Sequence, residues 1–387
     1  MLASTKYALL HRIAVEQSGR RVPSIVAGLC SAGRLSFTGA RGAVDGEPPT
    51  AGTQYRIGSI TKSFIAVLIM RLRDDGKLAL DDRLGKYLPD TRFGDATIAQ
   101  LLSHTAGVTA EPPGPWWERT AGGDFSALQG GLADERFRHR PGARFHYSNV
   151  GFALLGELVA RLRGADWVKV LRREILAPLG MRRTTPSPEP PHARGWAVHP
   201  YADVLLPEPL SETGAMAPAG QLWSTVTDLA SWARFLGGDT GDVLSVDTLA
   251  EMRHPSAVDD VNSMGAGYGL GLMLHRVDQP TVGHGVEDRI LFGHNGTMPG
   301  FLASLVVDPI TGTAAVTLAN CTAGPSMPQL ADDLITIADR LEPPLPTPWW
   351  PADIDGDIDS ALLELTGTWH WGTSPFTLRL LGGARTG

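Results

Sequence analysis

Apolar residues recur every three to four positions in "STKYALLHRIAVEQS", which predicts a helix over about residues 4–18. "PSIVAGLCSAGRLSFTGARG" then gives two β-rich runs around a turn at Ala32-Gly33. A second helix starts near Ser59 with the apolar run "FIAVLIMRL", reaches about Arg73 and stops near Gly76. Residues 80–210 alternate short helical patterns with Pro/Gly loops, and "NVGFALLGELVARLRG" is the longest of these helices. "TVTDLASWARFLGG" predicts another, with Thr227 as N-cap and Gly237 just past its end. After it the period changes from helical to two. "GYGLGLMLHRV" alternates, and "ILFGHNGTMPGFLASLVVDPITGTAAVTLANC" reads as successive antiparallel strands with "DPITG" as a hairpin turn. "AGPSMPQLADDLITIADRLE" closes with a helix.

Sheet elements thus occur at both ends of this region and helices fill its middle. That order predicts an α+β fold: one antiparallel sheet built from both chain ends, flanked by helices, with an all-helical region inserted at about 80–210. Residues 1–341 form this domain. "EPPLPTPWWPADID", 342–355, is a Pro-rich linker that the Trp349-Trp350 pair is expected to pin to the main domain. Residues 356–387 contain one hairpin pattern, and a single hairpin is marginal alone.

Composition excludes several classes. The net charge is −7, with 34 basic against 41 acidic residues and no run of one sign. That leaves no footprint for nucleic acid or an anionic membrane surface. Cys30 and Cys321 make no disulfide framework or metal spacing, and are expected to be small buried residues. The N-terminal helix is interrupted by His11, Arg12 and Glu16, unlike a secretion signal. No stretch approaches the ~18 uncharged apolar residues of a membrane span. The expectation is a cytoplasmic protein.

Three short stretches carry candidate chemistry. In "YRIGSITKSF", Ser59 and Lys62 lie three apart, one above the other on a helix face. A serine hydroxyl needs a base to become nucleophilic, and a desolvated lysine can be that base. An arginine cannot. The chain has 34 basic residues, and the only lysines among them are Lys6, Lys62, Lys77, Lys86 and Lys169, so a lysine at 62 stands against its bias. Taken alone the pair is a weak signal, and a lysine snorkelling from a helix end accounts for it more simply. In "RFHYSNVGF", Tyr147 can pass a proton and the Asn149 amide can orient a lysine or bind a carbonyl. The same residues fit a capped helix start, with Ser148 or Asn149 as N-cap. In "FGHNGTMPGF", His294, Asn295 and Gly296 precede a turn; Gly296 permits close approach, and the Thr297 N–H is a candidate donor to a substrate carbonyl.

Together, in this order, Ser-x-x-Lys, Tyr-x-Asn and His-x-Gly resemble the active-site signature of the serine β-lactamase and penicillin-binding-protein superfamily. The similarity is to the branch of class C β-lactamases, D-alanyl-D-alanine carboxypeptidases, D-aminopeptidases and family VIII-type esterases. "IAQLLSHTAGV", "EILAPLGM", "YGLGL" and "GHNGTMPGF" extend it over about residues 8–340. The third box holds histidine where penicillin-recognising members usually have lysine.

The resemblance implies an acyl-enzyme mechanism with no metal or organic cofactor. Ser59 attacks, Lys62 takes its proton, and Tyr147 shuttles that proton to the leaving group. The N–H groups of Ser59 and Thr297 hold the oxyanion. Asn149, Asn295, Gly296 and His294 orient the site and its substrate, with His294 as a proton partner of Tyr147. Trp116, Trp117 and Trp223 are candidate lining for an acyl pocket or packing anchors. His104 is expected to pack a loop. The implied partner is a small ester, D-amino-acyl amide or peptidyl substrate. Penicillin-binding-protein-type thioesterases also resemble this layout, with residues 356–387 as the start of a lipocalin-like β-domain. A non-turnover penicillin sensor or scaffold is the alternative from another class.

Overall fold

Strand pairing joins the two ends of the main unit. β1 (Ser24–Ser31) lies between β2 (Arg34–Gly42), its hairpin partner, and a late strand. The later strands are β3 (Ala257–Val258), β4 (Ala266–Tyr268), β5 (Met273–Thr281), β6 (Gly285–Met298), β7 (Phe301–Val307) and β8 (Ala314–Ala319). They make one antiparallel sheet in the order β2-β1-β8-β7-β6-β5-β4-β3, with Ile25 opposite Ala319 and Cys30 opposite Ala314. The computed structural model describes residues 1–31, 33–259, 265–281, 285–342 and 360–380. Ala32 of the expected turn, the Trp349-Trp350 pair and nearly all of the expected linker lie outside them.

Both faces of the central strands are covered, so their residues read as near-continuous apolar runs. Ile25, Ala27 and Leu29 pack with Leu9 and Ile13 of α1 (Ala3–Gly19) and Leu330 and Leu334 of α5 (Met327–Leu341). Val26 and Cys30 join the opposite core, with α2 (Thr61–Asp74), α3 (Asn149–Arg163) and α4 (Val226–Gly237). Cys30 and Cys321 are buried free thiols in different cores. The "DPITG" turn forms as expected: Gly312 N donates to Asp308 O at 3.0 Å and Gly312 has φ +68°.

Three local expectations shift. α4 is capped by Thr225, whose hydroxyl accepts from Asp228 N at 3.1 Å, and it ends against Gly238. Thr225 has the extended backbone a cap needs, whereas Thr227 is already helical and donates to Ala51 O. Ser59 sits in a 3₁₀ turn, Gly58–Ile60, immediately before α2. The region at 80–210 is not all helical. Trp196–Val198 pairs with Leu205–Pro207, closed by a bond from His199 N to Val204 O at 2.9 Å.

α2 explains how a lysine is buried here. Phe64, Ile65, Val67, Leu68, Ile69 and Met70 are all enclosed, each contributing about 1.5–3 kcal/mol of burial. That offsets the cost of enclosing Lys62 in the same helix.

The chain divides into two compact units, Met1–Glu342 and Pro343–Gly387. The second contains a short helix, Ser360–Glu364, and a hairpin pairing Gly367–Trp371 with Ser374–Leu378.

Candidate active site

Two backbone segments meet where the nucleophile candidate lies. Gly58 has φ +52°, and a Cβ there would lie 2.5 Å from Thr297 N. A Cβ on Gly296 would lie 1.9 Å from Ile57 O. Only glycine permits this contact on both sides. It brings the 3₁₀ turn of Ser59 against the end of β6, so the Ser59 and Thr297 backbones share one corner. β5 pairs with β6 only as far as Gly293. Among the described residues, no strand pairs with the other edge of His294–Met298, whose β7 side is occupied.

Lys62 is fully buried. Its Nζ lies 2.9 Å from Ser59 Oγ, 2.6 Å from Asn149 Oδ1 and 2.6 Å from Ala219 O. The two carbonyls can only accept. A neutral amine has two N–H bonds to give them and one lone pair left, which faces the serine hydroxyl. Burial lowers the Lys62 pKa to about 7, against the opposing pull of Glu111 and Glu118. The arrangement is therefore a serine hydroxyl facing an amine that is deprotonated in an ordinary pH range.

Tyr147 is hydrogen-bonded to Ser59, and burial raises its pKa, so it is a neutral phenol. Its ring lies 5.0 Å from Lys62 Nζ and packs at a tilt of 34° against the buried His104 ring, with centroids 4.1 Å apart. His104 packs as expected: its Nδ1 accepts from Ser148 N, and burial lowers its pKa well below the usual range. Ser148 caps α3 through Gly151 N at 2.9 Å, while Asn149 turns inward. The capped start and the polar cluster are thus the same piece of chain.

His294 faces the same core but does not have the expected proton-partner chemistry. Its Nδ1 donates to Asn295 O at 2.6 Å, and its Nε2 accepts from the Tyr268 hydroxyl at 2.8 Å. Both nitrogens are occupied, and burial next to Lys62 lowers its pKa to about 3. It is a neutral, fixed imidazole. Asn295 lies on the opposite face of β6, where its amide oxygen accepts from Ser304 Oγ at 2.8 Å. Strand alternation sends His294 inward and Asn295 away, so the Asn295 side chain is not brought to the site.

The three tryptophans separate. Trp117 is buried, and a Cβ on Gly220 would lie 3.6 Å from its ring and 3.6 Å from Gly58 C, which places the ring edge beside the Ser59 turn. It also lines an apolar cavity with Pro113, Leu128 and Met216. Trp116 is 55% exposed and stacks on Arg119. Trp223 is enclosed between Phe301 and His192, as a packing anchor.

Four participants were not singled out from the sequence. Glu111 and Glu118 bracket "EPPGPWWE", and scattered carboxylates gave no pairing signal. The fold brings them together: Glu118 has its pKa raised to about 7 by burial and by Glu111, opposed by Lys62 and Arg56. Tyr268 lies within "YGLGL". Ala219 contributes only its carbonyl, which no side-chain pattern reveals.

Residues 10–340 match the family profile described as Beta-lactamase. Penicillin-binding protein 4 of Amycolatopsis lactamdurans is 30% identical over 291 residues, 70% of this chain and 73% of that protein. The chain spans about half the length of several other curated relatives it matches. The D-amino acid amidase of Ochrobactrum anthropi SV3, solved with L-phenylalanine amide, has a TM-score of 0.71 and 26% identity, covering 88% of this chain and 97% of that one. The structure of SurE has a TM-score of 0.70 and 27% identity, covering 97% of this chain and 84% of that one. The matched profile spans the Ser59 turn, Lys62, Tyr147 and the His294 strand alike, and the chain belongs to the beta-lactamase family.

Proposed function

We propose that this protein is a serine hydrolase that forms an acyl-enzyme on Ser59 from amides or esters of D-amino acids. One observation carries the proposal: Nζ of a buried Lys62 lies 2.9 Å from Ser59 Oγ, with two carbonyl acceptors placed to take the N–H bonds of the neutral amine. Lys62 takes the serine proton as Oγ attacks the scissile carbonyl. Tyr147 delivers a proton to the leaving group and later activates water. The N–H groups of Ser59 and Thr297 receive the oxyanion. His294 is a positioning residue held neutral beside the pair.

The donor class follows from what surrounds the serine. The exposed Glu111 puts negative charge near Lys62, joined by the half-buried Glu118 as pH rises past about 7, which suits an acyl group with an ammonium next to its carbonyl. The edge of β6 at His294–Met298, unpaired among the described residues, offers backbone groups to an amide-bearing donor, and the cavity beside Trp117 suits an apolar side chain. The likeness to D-amino acid amidase supports this class. The test is intact-mass trapping of acyl-Ser59 from D- and L-phenylalanine esters. Acylation by the D-ester that disappears in Ser59→Ala is expected; labelling that persists in the mutant places the nucleophile elsewhere.

SurE, which this chain resembles over 97% of its length, has been solved with D-Leu, which supports the same D-amino-acyl class. A D-amino-acyl thioester panel with water and amine acceptors tests whether thioesters serve as donors alongside amides and esters.

A further inference from the structure

Asn149 can serve Lys62 in only one of its two amide orientations. With Oδ1 toward Lys62 it accepts an N–H. Flipped, it would set N–H against N–H and release the amine from one of its two anchors. Something must therefore fix the amide. Asn149 Nδ2 donates to Glu111 Oε1 at 2.8 Å. A carboxylate only accepts, so it selects the orientation that turns Oδ1 to the lysine. The other oxygen, Glu111 Oε2, accepts from Trp117 Nε1 at 2.6 Å. An indole only donates, so the carboxylate is itself fixed.

The backbone around Glu111 is tied to the same place. Asn149 N donates to Ala110 O at 2.8 Å, and Ser148 Oγ donates to Thr109 O at 2.7 Å. Pro112, Pro113 and Pro115 stiffen the loop between Glu111 and Trp117. The result is a directed series in which each donor meets an acceptor: Trp117 to Glu111, Asn149 to Glu111, Lys62 to Asn149, with the remaining lone pair on Ser59.

We propose that Glu111 is a positioning residue, which locks the Asn149 amide and thereby holds the Lys62 lone pair on Ser59. It rests on the assignment of Ser59 and Lys62 as nucleophile and base, and adds a residue outside the three sequence boxes. Glu111 also contributes charge: with Glu118 it favours the protonated form of Lys62, while Arg56 faces Glu118. His104 and His294 also face Lys62; both are neutral, as is Tyr147.

The test uses p-nitrophenyl acetate, which carries no ammonium, so a loss cannot come from weaker recognition of a cation. Glu111→Gln should lower kcat/KM on the order of 10²-fold, the scale of a misplaced catalytic group. It should also move the acid limb of the pH profile to lower pH, because a negative charge near Lys62 is gone. Repeating the comparison in a Glu118→Gln background removes the other group that titrates near 7. In an Asn149→Ala background, Glu111→Gln should cost little more. Glu111→Asp keeps the charge and shortens the reach, so it should lose kcat with the limb in place; it carries the test if the glutamine variant folds poorly. Full activity in either variant, an equal loss without Asn149, or a loss in Glu111→Gln with an unmoved limb overturns the proposal. Turnover that survives Ser59→Ala overturns the catalytic assignment and this proposal together. Loss in Ser59→Ala with an indifferent Glu111→Gln overturns Glu111 alone.

Discussion

The Tyr268 hydroxyl donates to His294 Nε2 at 2.8 Å, and because His294 Nδ1 already donates to Asn295 O, the imidazole has no free nitrogen. The third box thus supplies shape and a fixed dipole, and the titrating groups near neutrality are elsewhere in the site.

The pH profile separates these roles. Lys62 must be neutral to accept the serine proton, and its pKa is lowered to about 7 by burial. Activity is therefore present above that value and lost as pH falls through it, at roughly tenfold in kcat/KM per pH unit. Because His294 stays neutral down to about 3, His294→Asn should keep an acid limb near 7 even if the rate falls. A limb that vanishes in His294→Asn would restore the histidine as the titrating partner.

Lys62→Arg keeps a cation and removes the base. We expect a loss of roughly 10²–10⁴-fold in ester turnover, the range for a general base. Near-normal turnover would mean that position 62 supplies charge alone.

Tyr268→Phe leaves His294 Nε2 buried without its donor. The expected cost is about 1–3 kcal/mol in urea unfolding, the penalty of an unpaired buried polar atom. An unchanged midpoint would mean that the imidazole finds another partner.

Gly296→Ala sets a methyl group 1.9 Å from Ile57 O. The strand must retreat, costing about 1–3 kcal/mol as overpacking and displacing Thr297 N from the serine corner. Calorimetry and kcat should fall together; retained kcat would remove Thr297 from the oxyanion site.

Among donors, D-phenylalanine amide and short activated esters should be turned over faster than benzylpenicillin. A histidine that stays neutral replaces a cation that would attract the drug's carboxylate. A higher kcat/KM for benzylpenicillin than for p-nitrophenyl acetate would reverse this order.

Much of this was legible in the sequence because it is written as local pattern. The period-two runs after residue 265 gave the late strands, and Ser59, Lys62, Tyr147 and His294 stand in short boxes whose spacing survives folding. Helix boundaries slipped where two candidate caps lay close together, as with Thr225 and Thr227. The fixed state of His294 was hidden because it depends on Tyr268, which reaches it only through sheet pairing. Glu111 and Glu118 were hidden because a loop, not a periodic strand or helix pattern, carries them to the site. Carboxylates on a Pro-rich loop look like surface charge until the loop is seen against Asn149.

The corner formed by Gly58 and Thr297 also constrains how the molecule matures. Its two halves come from distant parts of the chain, and β6 is held in place through β7 and β8 by the early strand β1. Helices such as α2 and α3 rest on local contacts and can form quickly, whereas pairings between remote segments are slow. On the proposed assignment of Ser59, the site should therefore be assembled late, and a partly folded chain with most of its helix should be catalytically silent. During refolding from urea, ester turnover should lag the far-ultraviolet helical signal, making acylation of Ser59 a reporter of completed sheet closure.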